Sequence, residues 1–153
     1  MTRGMPLTAA LTLFLIGAAE SRVSFAALGG DMDSVRRDHA MLRAADTITA
    51  TASYDIHEAS TATGERLREY VNHSGTVFAL TWQGRRAPDV GALLGAYAGR
   101  YQNAVNNHRG SHHVLNLEAQ DLVVTVVHLP RGWQLQALLA GAIPEGVTRA
   151  EIR

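Results

Sequence analysis

Neither cysteine nor lysine occurs in this 153-residue chain. Without cysteine there is no disulfide to staple the fold, no thiolate nucleophile and no cysteine-ligated zinc site. Nor is there a residue to carry a lipid anchor at a processing site. Without lysine there is no Schiff-base amine and no P-loop lysine. All 14 basic residues are arginine. Hydrolase signatures are missing too: there is no G-x-S-x-G elbow, and Ser74, followed by Gly75, reads as a turn residue. His57-Glu58 begins no H-E-x-x-H motif, because a second histidine at the required spacing is absent.

What is present begins with an export pattern. Arg3 gives a positive start, Leu7–Ala19 runs 13 residues without a charge, and Ser24-Phe-Ala26 places small residues at −3 and −1 of a cut before Ala27. A spanning helix needs about 20 apolar residues, and Glu20 and Arg22 close this run first. Residues 1–26 therefore read as a cleavable secretory signal. A single domain, 27–153, is expected in the periplasm or outside the cell. It has 127 residues, 12 of them basic and 13 acidic. A chain of that size buries about two-thirds of its unfolded surface and can fold on its core alone. A near-neutral balance without a basic block gives no electrostatic case for nucleic acid, nor for an anionic membrane after cleavage.

Ala27–Gly30 reads as a flexible lead-in. Asp33 or Ser34 can cap a short helix reaching about Asp46. Three strands are expected at 47–58, 65–72 and 76–82, with turns near 59–64 and at His73-Ser-Gly75. Pro88 and Asp89 then open a longer helix to about Asn106, with Val90, Leu93, Leu94, Tyr97, Tyr101 and Val105 forming a stripe to bury. Three further strands are expected at 112–117, 122–129 and 133–139. Thr148-Arg-Ala-Glu151 matches a capping box too near the end for a stable helix. Short strands joined by tight turns imply antiparallel pairing. The expected fold is α+β: a curved antiparallel sheet of about six strands, with the 88–106 helix across it and a short N-terminal helix.

Strand alternation puts Glu58 in line with Tyr54 and Ile56, and Glu69 in line with Leu67 and Val71. A turn centred near Thr61–Thr63 then brings Glu58 close to Glu69. Facing carboxylates repel, so one is raised in pKa or a cation lies between them. His57, Glu58, Glu69 and Trp82 are the candidate ligand or acid/base residues, with a water-facing sheet rim as the structural alternative. Gly91, Gly95 and Gly99 recur every four residues, either to bring the helix close to its own sheet or to form an interaction face for a partner helix. His108, His112 and His113 form a weak metal cluster, because Arg109-Gly110 breaks the helix between them. No metal or other cofactor is implied.

Ala27-Leu-Gly-Gly30, Ser34-Val35, Ile56-His-Glu58, Arg68-Glu-Tyr-Val71, Gly75-Thr-Val-Phe78, Trp82-Gln-Gly84, Pro88-Asp89, Leu94-Gly-Ala-Tyr97 and Pro144-x-Gly-Val147 together resemble an exported proteobacterial family, the domain of unknown function 2844. The resemblance runs through the mature chain and is densest over 68–97. It implies an exported Gram-negative protein and brings no family active site with it. The functional expectation is a non-enzymatic periplasmic domain that binds a protein or small-molecule partner and could form a homo-oligomer. The alternative is a hydrolase or metal-dependent enzyme using Glu58 and Glu69.

Overall fold

Asp31 starts the first helix, α1 (Met32–Leu42), its side chain accepting a 2.9 Å hydrogen bond from the Ser34 N–H. A computed structural model describes residues 28–107 and 114–153 of the chain. The expected signal segment and His108, His112 and His113 lie outside the described residues. The cap falls ahead of the expected Asp33 or Ser34. The helix ends at Arg43, which turns left-handed (φ 47°), so Asp46 belongs to the next strand. The expected flexible lead-in is instead fastened at its end. Leu28 is 1% exposed and donates to the Leu93 carbonyl, and Gly29 donates to that of Val77.

The single strand expected over 47–58 is two, β1 (Ala45–Ala50) and β2 (Tyr54–Ser60). Thr51 makes the break: its hydroxyl donates to the Tyr54 carbonyl and accepts from the Ser53 and Tyr54 N–H groups. A short polar side chain thus supplies the turn. With β3 (Arg66–Asn72), β4 (Val77–Gly84), β5 (Val114–Ala119), β6 (Leu122–Leu129) and β7 (Gly132–Leu139), the sheet has seven strands, one more than expected. Every neighbouring pair is antiparallel, in the order β1-β2-β3-β4-β7-β6-β5. A four-strand meander and a three-strand meander therefore meet at β4–β7.

The chain passes from β4 in the middle to β5 at the far edge through α2 (Val90–Leu94), a 3-10 turn (Gly95–Tyr97) and α3 (Ala98–Asn107). Asp89 caps this run by accepting from the Ala92 N–H. Leu93 and Leu94 bury against Leu28, Leu67, Leu80, Leu122 and Leu135, so the helices cover one face of the sheet as expected. The glycine stripe does not do so. Gly95 (φ 50°) ends α2, a Cβ on Gly99 would meet nothing within 4 Å, and one on Gly91 would meet only Asp89. None of the described contacts brings Gly91 or Gly99 close against the sheet. Among the described residues no helix is long and apolar enough to cross a membrane.

The other face is covered at one end only. Tyr54, Tyr70, Phe78, Ala79 and Leu138 pack there with Ile152 of the C-terminal segment. That segment is fastened by hydrogen bonds from Gln136 to the Ile152 carbonyl and between the Tyr70 hydroxyl and the Arg153 backbone. The Thr148–Glu151 capping box forms, over a single 3-10 turn (Arg149–Glu151).

Candidate functional site

The hairpin between β2 and β3 decides which carboxylates can meet. Residues 61–65 lie between the paired Ser60 and Arg66, with Gly64 at φ 89° completing the turn. An odd-numbered connection pairs residues of like parity, so Glu69 stands opposite His57 and Glu58 opposite Arg68. Glu58 and Glu69 therefore point to opposite faces. The expected facing pair would need an even-numbered turn, and the carboxylate dyad does not form.

On the open face, Glu58 Oε2 accepts from Arg68 Nε at 2.6 Å, and Arg66 Nε lies 3.4 Å from Oε1. Burial alone would raise this carboxyl, but the hydrogen bond and charge of Arg68, with Arg66 and Ser60, hold it below the ordinary 4.5. The register makes Arg66 and Arg68 the partners of Glu58.

On the covered face, Glu69 is fully buried and meets α1. His39 lies one turn beyond Val35 on the helix face that packs onto β3, and its Nε2 is 3.1 Å from Glu69 Oε2. His39 Nδ1 lies 2.8 Å from Asp46 Oδ1, at ion-pair distance without hydrogen-bond alignment. Burial raises the Glu69 carboxyl, and His39 offsets this only in part. Burial alone would lower His39, but Glu69 and then Asp46 outweigh it and hold the imidazole above 6.5. His57, 4% exposed with its ring 6.4 Å from that of His39, is pushed below 6.5 by burial. Glu69 and His39 are both shifted toward their protonated forms, and with Glu69 at 0% exposure its carboxyl is closed off from solvent. Among the described residues no group of three or more His, Cys, Asp or Glu could hold a metal ion.

Trp82 marks a different place. It stands opposite Leu67 at the margin of the helix-covered face. A cleft of about 480 Å³ opens there between the end of α1, the 61–65 turn and α2. Leu42, Leu67, Trp82, Ala92 and Leu93 give it an apolar lining, with Glu65, Asp89, Arg43 and Arg86 as its charged members. Glu65 Oε2 accepts from the Thr61 and Thr63 hydroxyls, which hold its carboxyl below 4.5, and Arg86 Nε lies 3.9 Å from Oε1. Gly84 allows this approach, because a Cβ there would sit 2.8 Å from Glu65 Cγ and 3.3 Å from Trp82 Nε1. The indole N–H of Trp82 is buried beside them without a hydrogen-bond partner among the described residues.

Of the four candidate residues, the structure brings His57 and Glu69 together, adds His39 and Asp46 to them, and sets Glu58 and Trp82 apart in separate environments. Glu65 escaped sequence reasoning because it reads as the first residue of a strand. Its threonine neighbours were the available signal. A family model described as "Protein of unknown function (DUF2844)" matches residues 24–152. No curated protein and no solved structure matches the chain.

Proposed function

The chain belongs to the DUF2844 family of proteins of unknown function, and from that premise we propose that it is a non-enzymatic, exported domain of the periplasm or cell exterior that binds a small, largely apolar ligand in the Trp82 cleft. One observation carries this reading: an apolar cleft of about 480 Å³ lined by Trp82, whose buried indole N–H has no hydrogen-bond partner among the described residues. Ligand sites are concave, mostly apolar and marked by a few convergent polar groups, with volumes of about 300–1,000 Å³. Leaving a buried donor unpaired costs about 1–3 kcal/mol, which a ligand acceptor would recover.

The polar groups around the cleft favour a ligand that accepts hydrogen bonds. Glu65 is occupied by Thr61 and Thr63, and Asp89 by the Ala92 N–H. The donors left are the Trp82 indole and the guanidinium of Arg43, with that of Arg86 engaged only by its 3.9 Å pair with Glu65. A binding role is favoured over catalysis because Glu65 is held ionised and engaged, and Glu58 and Glu69 stand on opposite sides of the sheet.

The probe 8-anilino-1-naphthalenesulfonate, an apolar body with an anionic group, tests this. Saturable binding at one site is expected, and it should be lost in Ala92→Phe, which fills the cleft, without a matching loss of stability. Unchanged binding by a folded Ala92→Phe protein would overturn the proposal.

A further inference from the structure

The formal net charge of the chain is zero, yet its arginines are not evenly spread. On the open face of the sheet, cross-strand pairing sets Arg66, Gln83 and Gln134 side by side over β3, β4 and β7. One rung further, Arg68, Thr81, Gln136 and Thr125 form a second row over β3, β4, β7 and β6. These rows floor a groove of about 290 Å³ walled by Ile152 and Arg153. At Arg66, Gln83 and Gln134 it joins a second hollow of about 390 Å³, which Arg85 and Arg131 also line. Five arginines line the two hollows and, among the described residues, no aspartate or glutamate does, although Arg68 already donates to the Arg153 backbone oxygen. Glu58 engages Arg66 and Arg68 from the side, but among the described residues Arg85 and Arg131 enter no ion pair.

A polar floor on the central strands of a sheet is unusual where apolar residues could pack a second layer. Here amides and hydroxyls stand at strand spacing, about 4.7–4.9 Å apart, between guanidiniums that bind carboxylates in bidentate fashion. We propose that this groove binds an acidic oligosaccharide. Its carboxylates would meet Arg66 and Arg131, and its hydroxyls Gln83 and Gln134. Trp82 and Trp133 also line the hollows, but they alternate with Gln83 and Gln134 along β4 and β7 and so point to the other face of the sheet. The rows themselves offer no ring on which successive nucleic-acid bases could stack, a contact that single-strand binders depend on.

The test is a calorimetric titration of the purified protein with tetragalacturonate. Saturable binding that weakens with added salt is expected, because exposed charge pairs are screened. Arg131→Gln and Gln134→Ala should each weaken it, the arginine change by about tenfold, the loss of a charge-assisted hydrogen bond. Ala92→Phe, on the other side of the sheet, should leave it unchanged, so this proposal and the cleft proposal fail separately. Absence of binding would overturn the inference. So would equal binding of a neutral tetrasaccharide or inorganic phosphate, or tighter binding of an oligonucleotide or of phosphatidylglycerol vesicles.

Discussion

Replacing His39 by alanine is expected to destabilise the fold by about 3–5 kcal/mol, the loss seen when one partner of a buried charge pair is removed. Glu69 is wholly buried, and its Oε1 has no hydrogen-bond partner among the described residues. Oε2 depends on His39 at 3.1 Å. Without the imidazole, the carboxyl must either ionise unpaired or take up a proton at neutral pH. The double variant His39→Ala/Glu69→Leu should recover most of the loss, since apolar replacement of a whole buried pair is often close to neutral. Urea denaturation of the two variants measures this. A loss under about 1 kcal/mol for His39→Ala would place it with surface pairs instead.

The same cluster sets a pH dependence whose sign follows from the directions of shift. Glu69 and His39 are both held above their ordinary values of 4.5 and 6.5. The stability each contributes is full below its unfolded value and is lost as pH rises through its folded value. His57 is shifted down, so its contribution is present above 6.5 and is lost as pH falls through its lower folded value. The Glu69→Gln variant should therefore flatten the decline in stability that begins above about pH 4.5.

Phe78→Ala is expected to cost about 3–5 kcal/mol, the range for deleting a buried ring from a packed core. The pairing of β3 with β4 shifts between Tyr70 and Val71, which face Ala79 and Val77. Phe78 is the extra residue of this bulge, and its ring packs at 5.7 Å from Tyr54 and 6.3 Å from Tyr70. Ile152 belongs to the same cluster, so the loss should also release the C-terminal segment. Faster hydrogen exchange at the Arg153 N–H, which donates to the Tyr70 hydroxyl, would report that release.

Alternation and turn residues made most of the sheet legible, because one face of β3, β4, β6 and β7 is buried and the side-chain period is two. β1 is exposed at all six positions, so it carries no alternation. Thr51–Ser53 contains no Gly, Pro or Asn to mark a turn, and the first hairpin was read as one strand for both reasons. Asp89 was visible as a cap because Pro88 precedes it and an apolar stripe follows.

The site was harder to read. Register depends on whether a turn has an odd or even number of residues, and one residue exchanged the neighbours of Glu58 and Glu69. His39 lies 30 residues from Glu69, a helix-to-strand contact that no local pattern encodes. Trp82 could be singled out in the sequence, but its cleft is assembled from α1, a hairpin turn and α2, and exists only once these pack.

The most direct test of cleft binding is the indole N–H of Trp82 itself, observed by NMR as one of two tryptophan side-chain resonances. On adding 8-anilino-1-naphthalenesulfonate, the Trp82 resonance should shift progressively to saturation while that of Trp133 stays in place. A Trp82 resonance that does not move while the probe binds would contradict the account.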